Sequence, residues 1–351
     1  MTRRELLWLL IAVAGLVAAP FVVSASTLTI LLIYAMLALS LGLVWGFGGI
    51  LCFGQAAFYG LGAYTYAVAA INIGESTVPM LLAMLVPALL AAVLGALMFY
   101  GRISDVYLGV ITLVVTLIFF KFLNGAAGEA YKIGAARLGG YNGIPGFQTL
   151  NVPGMKDEYI TGVALYAVVA SALVLIWALC RWLLNSHFGR VCVAIRENEL
   201  RAQLLGYDVR LMKTGIFTLG GAIAGLAGAF YASWAEIITP GLFSLAQSAE
   251  IIIWVIVGGV GTLIGPILGA MLLAWIKISL GAQQTLNNLI VSGTILILVV
   301  LLVPGGVLPS LKFLLRRNRE AALAEKTATS LAKSVSGGKP ISKRLRRSHR
   351  G

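Results

Sequence analysis

The amino-acid sequence predicts an all-α membrane protein that crosses the bilayer many times. Of its 351 residues, 60% are apolar and only 11% are charged, and the mean hydropathy is +0.95. A soluble globular domain carries about 25% charged residues, so this composition cannot cover a water-facing surface. The abundance of apolar side chains also excludes a disordered chain. A polytopic membrane protein is the class that remains.

Ten apolar segments are candidates for membrane-spanning helices. Such a helix needs about 20 apolar residues, because each adds about 1.5 Å across a hydrocarbon core about 30 Å thick. In chain order the segments are Leu6–Val23, Leu28–Val44, Leu51–Ile71, Met80–Tyr100, Val106–Phe122, Ile160–Leu184, Thr214–Trp234, Ala249–Thr262, Leu263–Leu280 and Leu289–Val303. The eighth is short enough for a half-helix or a re-entrant segment. We therefore expect about ten transmembrane helices, with about eight as the lower bound.

The basic residues predict that both termini lie in the cytoplasm. Arg3 and Arg4 precede the first segment, and Lys and Arg concentrate on the cytoplasmic side of membrane proteins. Ten crossings return the C-terminus to the same side. Arg102 and the basic loop 185–213 then also face the cytoplasm, whereas the charge-balanced loop 123–158 is the longest on the outer side. That outer loop is either a connector or a gate or docking surface.

Alternatives remain for both ends of the chain. The first segment could also be a signal peptide cleaved near Val23–Ser26, which leaves the later topology unchanged. After a membrane domain of residues 1–310, the tail 311–351 holds twelve Lys or Arg residues against Glu320 and Glu325 and supplies most of the net charge of +13. We expect this tail to be cytoplasmic and disordered, or to touch anionic lipid headgroups. Nucleic acid is not indicated, because aromatic residues for base stacking are almost missing from the tail.

The motifs of catalysis, redox chemistry and ATP binding are missing from the sequence. The three cysteines and two histidines do not have the spacing of a disulfide framework or a metal site. The Gly338-Lys339 pair is followed by Pro340, so it is not a Walker A loop. The Gly259-Val260-Gly261 stretch lies in an apolar segment and lacks the strand and helix of a dinucleotide site. We expect no metal, no cofactor and no catalytic residue in this chain.

Ion-coupled transport is a rival function with weak support. Ion-coupled transport usually needs ionisable groups in the middle of the membrane. Placing one charged side chain there costs at least about 2.5–3.5 kcal/mol of free energy. Lys121, Glu236, Glu250 and Lys277 all lie near predicted helix ends. Glu250 opens the short eighth segment and is either an interfacial carboxylate or part of a transport path. A secondary transporter therefore stays an alternative, and an integral membrane enzyme or a channel is a more distant one.

Small residues recur at helical spacing in the later segments. Gly221 and Gly225, and then Gly261, Gly265 and Gly269, stand four apart. In lipid such spacing lets helix backbones pack closely. The glycine-rich breaks 46–54 and 258–266 both fall at predicted cytoplasmic ends, and we interpret them as candidate gate elements.

The cytoplasmic stretch 194–207 predicts a short amphipathic helix. Ile195, Leu200 and Leu204 lie roughly on one face of this helix and the charged residues lie on the other. Gly206 is placed to end it. A helix of this kind between membrane spans is either a plain connector or the element to which a soluble motor protein binds.

Four segments together resemble a known family. They read GGILCFGQAAFYGLGAY at 48–64, GGYNG at 139–143, AIRENELRAQLLGY at 194–207 and VGGVGTLIGPILGA at 257–270. In this order they resemble the branched-chain amino acid type of ABC-importer permease, the LivM-like group, over roughly residues 28–310. Each motif alone is weak, but four in the right order are specific.

The resemblance implies roles for two sets of residues. Residues 1–310 would form the permease domain, and residues of the 185–213 loop would couple it to an ATPase. The coupling residues are Ala194, Ile195, Arg196, Glu197, Asn198, Leu200, Leu204 and Gly206. The candidates for the solute path or a docking surface are Gln55, Tyr59, Tyr64, Gly140, Asn142, Gly143 and Glu250.

The resemblance also implies a bacterial inner-membrane importer with several subunits. Its partners would be a second related permease, two cytoplasmic ATPases that carry the ATP and Mg²⁺, a periplasmic or extracellular substrate-binding protein, and membrane lipid. The solute would be a branched-chain or other small amino acid. Gln55 stands where many members have His and Cys52 where Ser is common, so urea, short amides or small carboxylates stay alternatives. The chain also lacks the Arg often found near residues 303–307 and extends past the usual end over residues 320–351.

Overall fold

The computed structural model describes residues 15–281, except residues 17, 22, 153 and 154, together with residue 293. All of these residues belong to one compact unit, Met1–Gly306. Most of the first predicted segment, nearly all of the tenth and the whole tail 311–351 lie outside the described residues. The predictions of a signal peptide, of ten crossings and of a disordered tail therefore stay predictions.

The described chain is mostly helical. Its α-helices are α1 (Ala25–Gly48), α2 (Gln55–Ile73), α3 (Thr77–Tyr100), α4 (Asp105–Gly125), α5 (Val163–Asn185), α6 (His187–Glu197), α7 (Glu199–Leu204), α8 (Val209–Ala235), α9 (Leu245–Gly258) and α10 (Ile264–Gly281). Among the described residues six helices, α1 to α5 and α8, are long and apolar enough to cross a membrane. They correspond to the second to seventh predicted segments. The eighth segment was expected to be short, and α9 has 14 residues.

The helices that match predicted apolar segments begin between one and five residues from the predicted starts, and the differences at α2 and α8 have a local cause. The backbone of Gly49 has a φ of +71°, a left-handed conformation that ends α1, and α2 starts only at Gln55 instead of Leu51. Helix α8 starts at Val209, five residues before the predicted start, because Asp208 caps it. The Asp208 Oδ1 atom accepts hydrogen bonds from the backbone N–H groups of Arg210 and Leu211 at 3.1 and 3.2 Å.

Helix α8 is the centre of the bundle and packs against α1, α2 and α3. Glycines allow this close packing. A Cβ atom on Gly62 would overlap the backbone of Gly225, and a Cβ atom on Gly221 would lie 2.6 Å from the Cβ of Ala91. Small residues therefore set the distance between helices, as expected where no hydrophobic force acts between helices in lipid.

The outer face of the bundle is apolar and exposed. Large apolar side chains recur every fourth residue on α3 and on α4, which makes one continuous stripe on each helix. The stripe residues are Leu81, Leu85, Leu89, Val93 and Leu97 on α3, and Val106, Val110, Val114, Ile118 and Phe122 on α4. By contrast, α1 is almost entirely buried. This division fits a bundle with α1 inside and with α3 and α4 facing lipid.

The mostly helical structure agrees with the all-α prediction, and it adds short strands that the sequence does not predict. Within the described residues they form three antiparallel pairs: β1 (Lys132–Ile133) with β2 (Ala136–Arg137), β3 (Ile144–Pro145) with β6 (Ile237–Ile238), and β4 (Asn151–Val152) with β5 (Met155–Tyr159). All but β6 lie in or next to the 123–158 loop. Backbone groups outside a helix need hydrogen-bond partners, and these pairs supply them.

The outer loop is held to the bundle by polar side chains at the ends of α2 and α3. Asn72 Nδ2 donates to the carbonyl oxygen of Ile133 at 3.0 Å, and the N–H of Ala135 donates to Asn72 Oδ1 at 2.8 Å. The N–H of Ser76 donates to Asn151 Oδ1 at 2.9 Å, and both residues are buried. Because α5 alone separates this loop from residues 186–208, the two segments lie at opposite ends of the bundle.

Candidate functional site

The segment 194–207 consists of two helices, α6 and α7, and not of one. Asn198, with φ −160° and ψ 101°, lies between them, and its Oδ1 accepts from the N–H of Arg201 at 2.8 Å. Ile195 is 3% exposed, whereas Leu200 and Leu204 are 66% and 81% exposed. The prediction of one amphipathic helix with these three residues on a single face is therefore wrong. Asn is a strong N-cap residue, and it starts a new helix here.

The two helices share a small core and leave an apolar tip. Val191 and Ile195 of α6 pack with Ala202 of α7 and Val209 of α8. The tip is formed by Leu200, Leu204 and Leu205, which are exposed together. Grouped exposed apolar residues on a polar loop are typical of a surface that binds another protein.

Gly206 ends α7, as predicted. Its N–H donates to the carbonyl of Gln203 at 2.9 Å, and the N–H of Tyr207 donates to the carbonyl of Ala202 at 3.2 Å. This pair of bonds is a Schellman motif, in which the residue at the Gly206 position is left-handed. The φ of Gly206 is +88°, which disfavours any residue with a side chain.

Arg196 connects α6 to both glycine-rich segments. Its Nη1 donates to the carbonyl oxygen of Gly46 in the last turn of α1, and its Nη2 forms an ion pair with Glu197. The aliphatic part of the side chain lies on Gly49, where an added Cβ would be 2.9 Å from Arg196 Cγ. A Cβ on Gly261 would lie 3.6 Å from Nη1. One side chain therefore contacts the end of α1 and the turn before α10.

The two glycine-rich segments also contact each other. A Cβ on Gly46 would be 2.8 Å from the backbone N of Gly261, and a Cβ on Gly42 would be 2.5 Å from Cγ of Pro266. Thr262 fixes the turn, because its Oγ1 donates to the carbonyl of Gly259 and accepts from the N–H of Gly265, both at 3.1 Å. Packing this close transmits displacement, since the neighbours have no space in which to yield. We call Arg196 with segments 46–49 and 259–262 the coupling junction.

Gln55 connects three helices in the interior of the bundle. Its side chain is buried, and Nε2 donates to Ser40 Oγ of α1 at 2.7 Å and to the carbonyl of Gly220 of α8 at 3.2 Å. Its Oε1 has no hydrogen-bond partner among the described residues. A buried acceptor of this kind costs about 1–3 kcal/mol when it stays unpaired, so it is a position where a polar group can bind.

Tyr59 and Tyr64 also present buried hydroxyl groups without partners within the described part of the chain. Tyr59 lies one turn after Gln55 on the same face of α2, and its ring centroid is 5.7 Å from that of Tyr231. Tyr64 lies on another face, with its ring 5.6 Å from Phe243. Of the three candidates on α2, the structure brings Gln55 and Tyr59 together and separates Tyr64.

Glu250 is paired with a residue that the sequence analysis did not connect to it. Its Oε1 lies 2.5 Å from Nζ of Lys277, and the two side chains are 19% and 38% exposed. The pair joins the first half of α9 to the last turns of α10. One turn after Glu250, Trp254 packs on the ring of Tyr34 of α1 at 4.9 Å. The charges are 27 positions apart in the sequence, and no local pattern links them.

Gly140, Asn142 and Gly143 lie at the other end of the bundle from the coupling junction. Residues Gly140–Asn142 form one turn of 3-10 helix, and the φ of Gly143 is +75°. A Cβ on Gly143 would overlap the carbonyl group of Ile238 in β6. The glycines are therefore required by packing, whereas Asn142 and its neighbour Tyr141 are exposed. Only the exposed pair is available for docking.

Within the described residues, no group of three His, Cys, Asp or Glu side chains is arranged to hold a metal ion. The three cysteines are free and buried. Burial raises the pKa of Cys192, on α6, to about 12 and has the same effect on Cys52 in the 49–54 connection. Both thiols therefore stay protonated and poorly reactive at neutral pH.

Comparison with protein families identifies one that covers most of the chain. The family described as "Branched-chain amino acid transport system / permease component" matches residues 23–300. No solved structure matches the chain.

Three relatives illustrate the similarity. The high-affinity branched-chain amino acid transport system permease protein LivM of Escherichia coli (strain K12) is 30% identical over 349 residues, covering 92% of this chain and 80% of that protein. A probable LivM of Methanocaldococcus jannaschii is 24% identical, covering 79% of this chain and 90% of its own length. The permease protein LivH of Salmonella typhimurium is 30% identical over 132 residues, which cover 37% of this chain and 42% of LivH.

Proposed function

Since the chain belongs to the family of branched-chain amino acid transport system permease components, we propose that it is the membrane permease subunit of an ATP-driven importer for branched-chain or other small amino acids. A permease of this family is a transport protein and not an enzyme, so the expectation that the chain performs no catalysis is confirmed. The observation that carries the proposed mechanism is the contact of Arg196 with both glycine-rich segments.

The coupling junction supplies a mechanical route from a motor protein to the solute path. Two cytoplasmic ATPases, which hold the ATP and Mg²⁺, would bind the exposed tip of Leu200, Leu204 and Leu205. Movement of α6 would then shift Arg196, and with it the end of α1 and the 259–262 turn. Because these segments are packed without free space, they move as a unit, and a rigid-body shift of this kind alternates access to the path.

The solute path would run beside Gln55 and Tyr59 and past the Glu250–Lys277 pair. Buried amide and hydroxyl groups with unused hydrogen-bonding capacity support this assignment, because a polar solute needs such groups in an apolar bundle. An amino acid is a zwitterion, and a neighbouring carboxylate and ammonium can match its two charges. The amide of Gln55 could hydrogen-bond equally well to urea, a short amide or a small carboxylate. These solutes remain the second candidates.

The distribution of charge supports the proposed orientation in a bacterial inner membrane. The loops 101–104 and 186–208, with the first turn of α8, contain five of the basic residues near the coupling junction: Arg102, Arg190, Arg201, Arg210 and Lys213. The rule that Lys and Arg concentrate in cytoplasmic loops favours the cytoplasm for this end. In the proposed topology the chain crosses ten times and both termini are cytoplasmic.

The remaining partners follow from this arrangement. Similarity to both LivM and LivH supports a pair of related permease subunits. The exposed Tyr141 and Asn142 on the opposite end would face a substrate-binding protein outside the cytoplasm. We also propose that this chain itself binds no metal ion and no cofactor.

The proposal is tested by purifying the chain from its native membrane in mild detergent, identifying its partners, and reconstituting the complex. We expect a second permease, a Walker A ATPase, and uptake of labelled leucine that requires ATP and the binding protein. Glu197→Ala and Gly206→Ala should lower uptake more than ATPase activity, while membrane insertion is unchanged. A chain that purifies alone and transports without ATP would contradict the proposal and favour an ion-coupled transporter.

A further inference from the structure

A cavity of about 440 Å³ opens beside α7, the second helix of the 194–207 segment, which we call the coupling segment. Its walls are the end of α3, the turn that leads into α4, helix α7 and the first turns of α8. The polar side chains that line it include Arg102, Arg210, Lys213, Glu199 and Gln203. The proposed transport mechanism gives none of these five side chains a role.

The cavity lining carries more positive than negative charge. Lys213 is held by Glu199, with 2.6 Å between Nζ and Oε2, and its ammonium lies 5.9 Å from the ring centre of Phe99. The guanidinium of Arg210 lies 5.7 Å from the ring centre of Tyr100. These contacts orient two cations, and Arg102 adds a third. Among the described residues of the lining, Glu199 is the carboxylate and offsets one of the three positive charges, so these residues together attract an anion.

Arg102 has a strained backbone. Its φ is +53°, a left-handed conformation that non-glycine residues rarely adopt. The surrounding turn fixes it, because the N–H groups of Arg102 and Ile103 donate to the carbonyls of Phe99 and Met98 at 3.3 and 3.1 Å. These two bonds are a Schellman motif that ends α3, and its left-handed position, usually a glycine, is here occupied by an arginine.

The apolar stripes of α3 and α4 end within two residues of the cavity lining in the sequence, next to Phe99 and Ser104. Leu97, at the end of the α3 stripe, is 66% exposed, and Val106 and Tyr107, at the start of α4, are 77% and 67% exposed. These residues flank the wall that contains Arg102. A ligand that fits here has an anionic phosphate group for the cations and apolar chains for the two stripes. A soluble phosphate would use the cations and leave the stripes uncovered.

We propose that this cavity binds the phosphate headgroup of an anionic phospholipid, with its acyl chains along α3 and α4. Basic pockets between helices at the cytoplasmic surface are suited to such headgroups. Because Gln203 of α7 and Arg210 of α8 line the same cavity, a headgroup bound to both side chains also bridges α7 and α8. The proposal concerns a defined site and does not depend on which solute is transported.

The test measures lipid binding by the purified full-length chain in nanodiscs of phosphatidylcholine that contain increasing amounts of phosphatidylglycerol. Bound phosphatidylglycerol is counted by native mass spectrometry, and hydrogen exchange is followed at residues 98–104 and 199–213. We expect Arg102→Gly to weaken binding about fivefold. Glycine suits the backbone at this position, so the variant should fold at least as well as the wild type.

The matched control is Arg201→Gln, which removes a cation from α7 outside the cavity lining and leaves the basic tail unchanged. It should bind phosphatidylglycerol like the wild type and show the same protection from exchange. Equal binding by wild type and Arg102→Gly would overturn the proposal. So would equal protection by soluble glycerol phosphate in phosphatidylcholine alone, which would indicate a site for a free anion. A second hydrogen-exchange measurement adds the ATPases to the chain in phosphatidylcholine alone, and protection that appears only then would assign the cavity to the ATPase interface instead.

Discussion

The guanidinium of Arg196 donates a hydrogen bond to the carbonyl oxygen of Gly46, and this bond joins the coupling segment to the end of α1. The same side chain lies on Gly49 and next to Gly261, so it contacts two segments that are far apart in the sequence. Glycine at position 49 leaves the space that the arginine occupies. In the proposed mechanism, this bond carries a movement of α6 to both glycine-rich segments at once.

Arg196→Lys should separate ATP hydrolysis from uptake. Lysine keeps the charge but lacks the planar fork that reaches both the Gly46 carbonyl and Glu197. A hydrogen bond from a charged group contributes about 1.5–3 kcal/mol, so we expect uptake to fall by about tenfold or more while ATPase activity persists. The measurement is the ratio of transported leucine to hydrolysed ATP in proteoliposomes.

Arg190→Lys is the control for that variant. Arg190 also lies on α6, but its Nη1 donates to the carbonyl of Asn185 at 2.7 Å and does not reach the glycine-rich segments. It should transport like the wild type. If both variants lose coupling to the same degree, the loss would come from α6 as a whole and not from the Arg196 bond.

Gly228→Ala should destabilise the bundle. A Cβ at this position would overlap the carbonyl oxygen of Tyr59, where α8 crosses α2. Overpacking typically costs about 1–3 kcal/mol, which exceeds the gain of up to about 1 kcal/mol that alanine brings to a helix. The measurement is the midpoint of thermal unfolding in detergent, which should fall.

Gly125→Ala tests whether space is the cause. Gly125 ends α4, and an added Cβ would meet nothing within 4 Å. This substitution should leave the midpoint unchanged or raise it slightly. A loss of stability equal to that of Gly228→Ala would show that glycine matters in these helices for a reason other than close packing.

The sequence predicted the spanning helices better than the contacts between them. Hydropathy and length identify a span because the bilayer requires about 20 apolar residues regardless of neighbours. The apolar periodicity of 195–204 predicts one continuous helix and masks the break at Asn198, although Asn is a preferred capping residue. The pairing of β3 with β6 joins Ile144 to Ile238, and a two-residue strand has too few residues for a pattern.

In the candidate site, too, local features follow from the sequence and tertiary contacts do not. Gly206 was recognised from local rules of helix termination, which depend on its own backbone. The Lys277 partner of Glu250 and the Gly46 partner of Arg196 are tertiary contacts, and only the fold brings them together. The sequence therefore identifies candidate residues but not the tertiary contacts that they make.

Exchanging the charges of Glu250 and Lys277 should distinguish a structural pair from a path-lining one. Glu250→Gln leaves the Lys277 ammonium without this carboxylate, and we expect a loss of about 1–2 kcal/mol, because the lysine is partly exposed. The double variant Glu250→Lys, Lys277→Glu restores the pair and should regain stability. If the path interpretation is correct, it should not regain uptake, because the charges that face the solute are reversed.

The measurements are the unfolding midpoint and leucine uptake for the single and double variants. Lys277→Gln is the companion single variant and should resemble Glu250→Gln in stability. Full recovery of uptake in the charge-exchanged variant would contradict a role of the pair in the path and would leave it as a link between α9 and α10.

Cysteine labelling should establish the orientation of the chain. Leu204→Cys places a thiol on the exposed end of α7, and Tyr141→Cys places one on the exposed outer loop. One span, α5, separates them, so a membrane-impermeant maleimide should label them from opposite sides. We expect labelling of Tyr141→Cys in spheroplasts and of Leu204→Cys in inverted membrane vesicles.

The native cysteines give a low background in that experiment because all three are buried. The pKa of the Cys192 thiol is raised by burial to about 12, and a raised pKa favours the protonated form below that value. At pH 8 only about one thiol in ten thousand is then a reactive thiolate. Wild-type chain should therefore label only after denaturation. Labelling of Leu204→Cys in spheroplasts and of Tyr141→Cys in inverted vesicles would reverse the proposed orientation and place the coupling junction on the side without ATP.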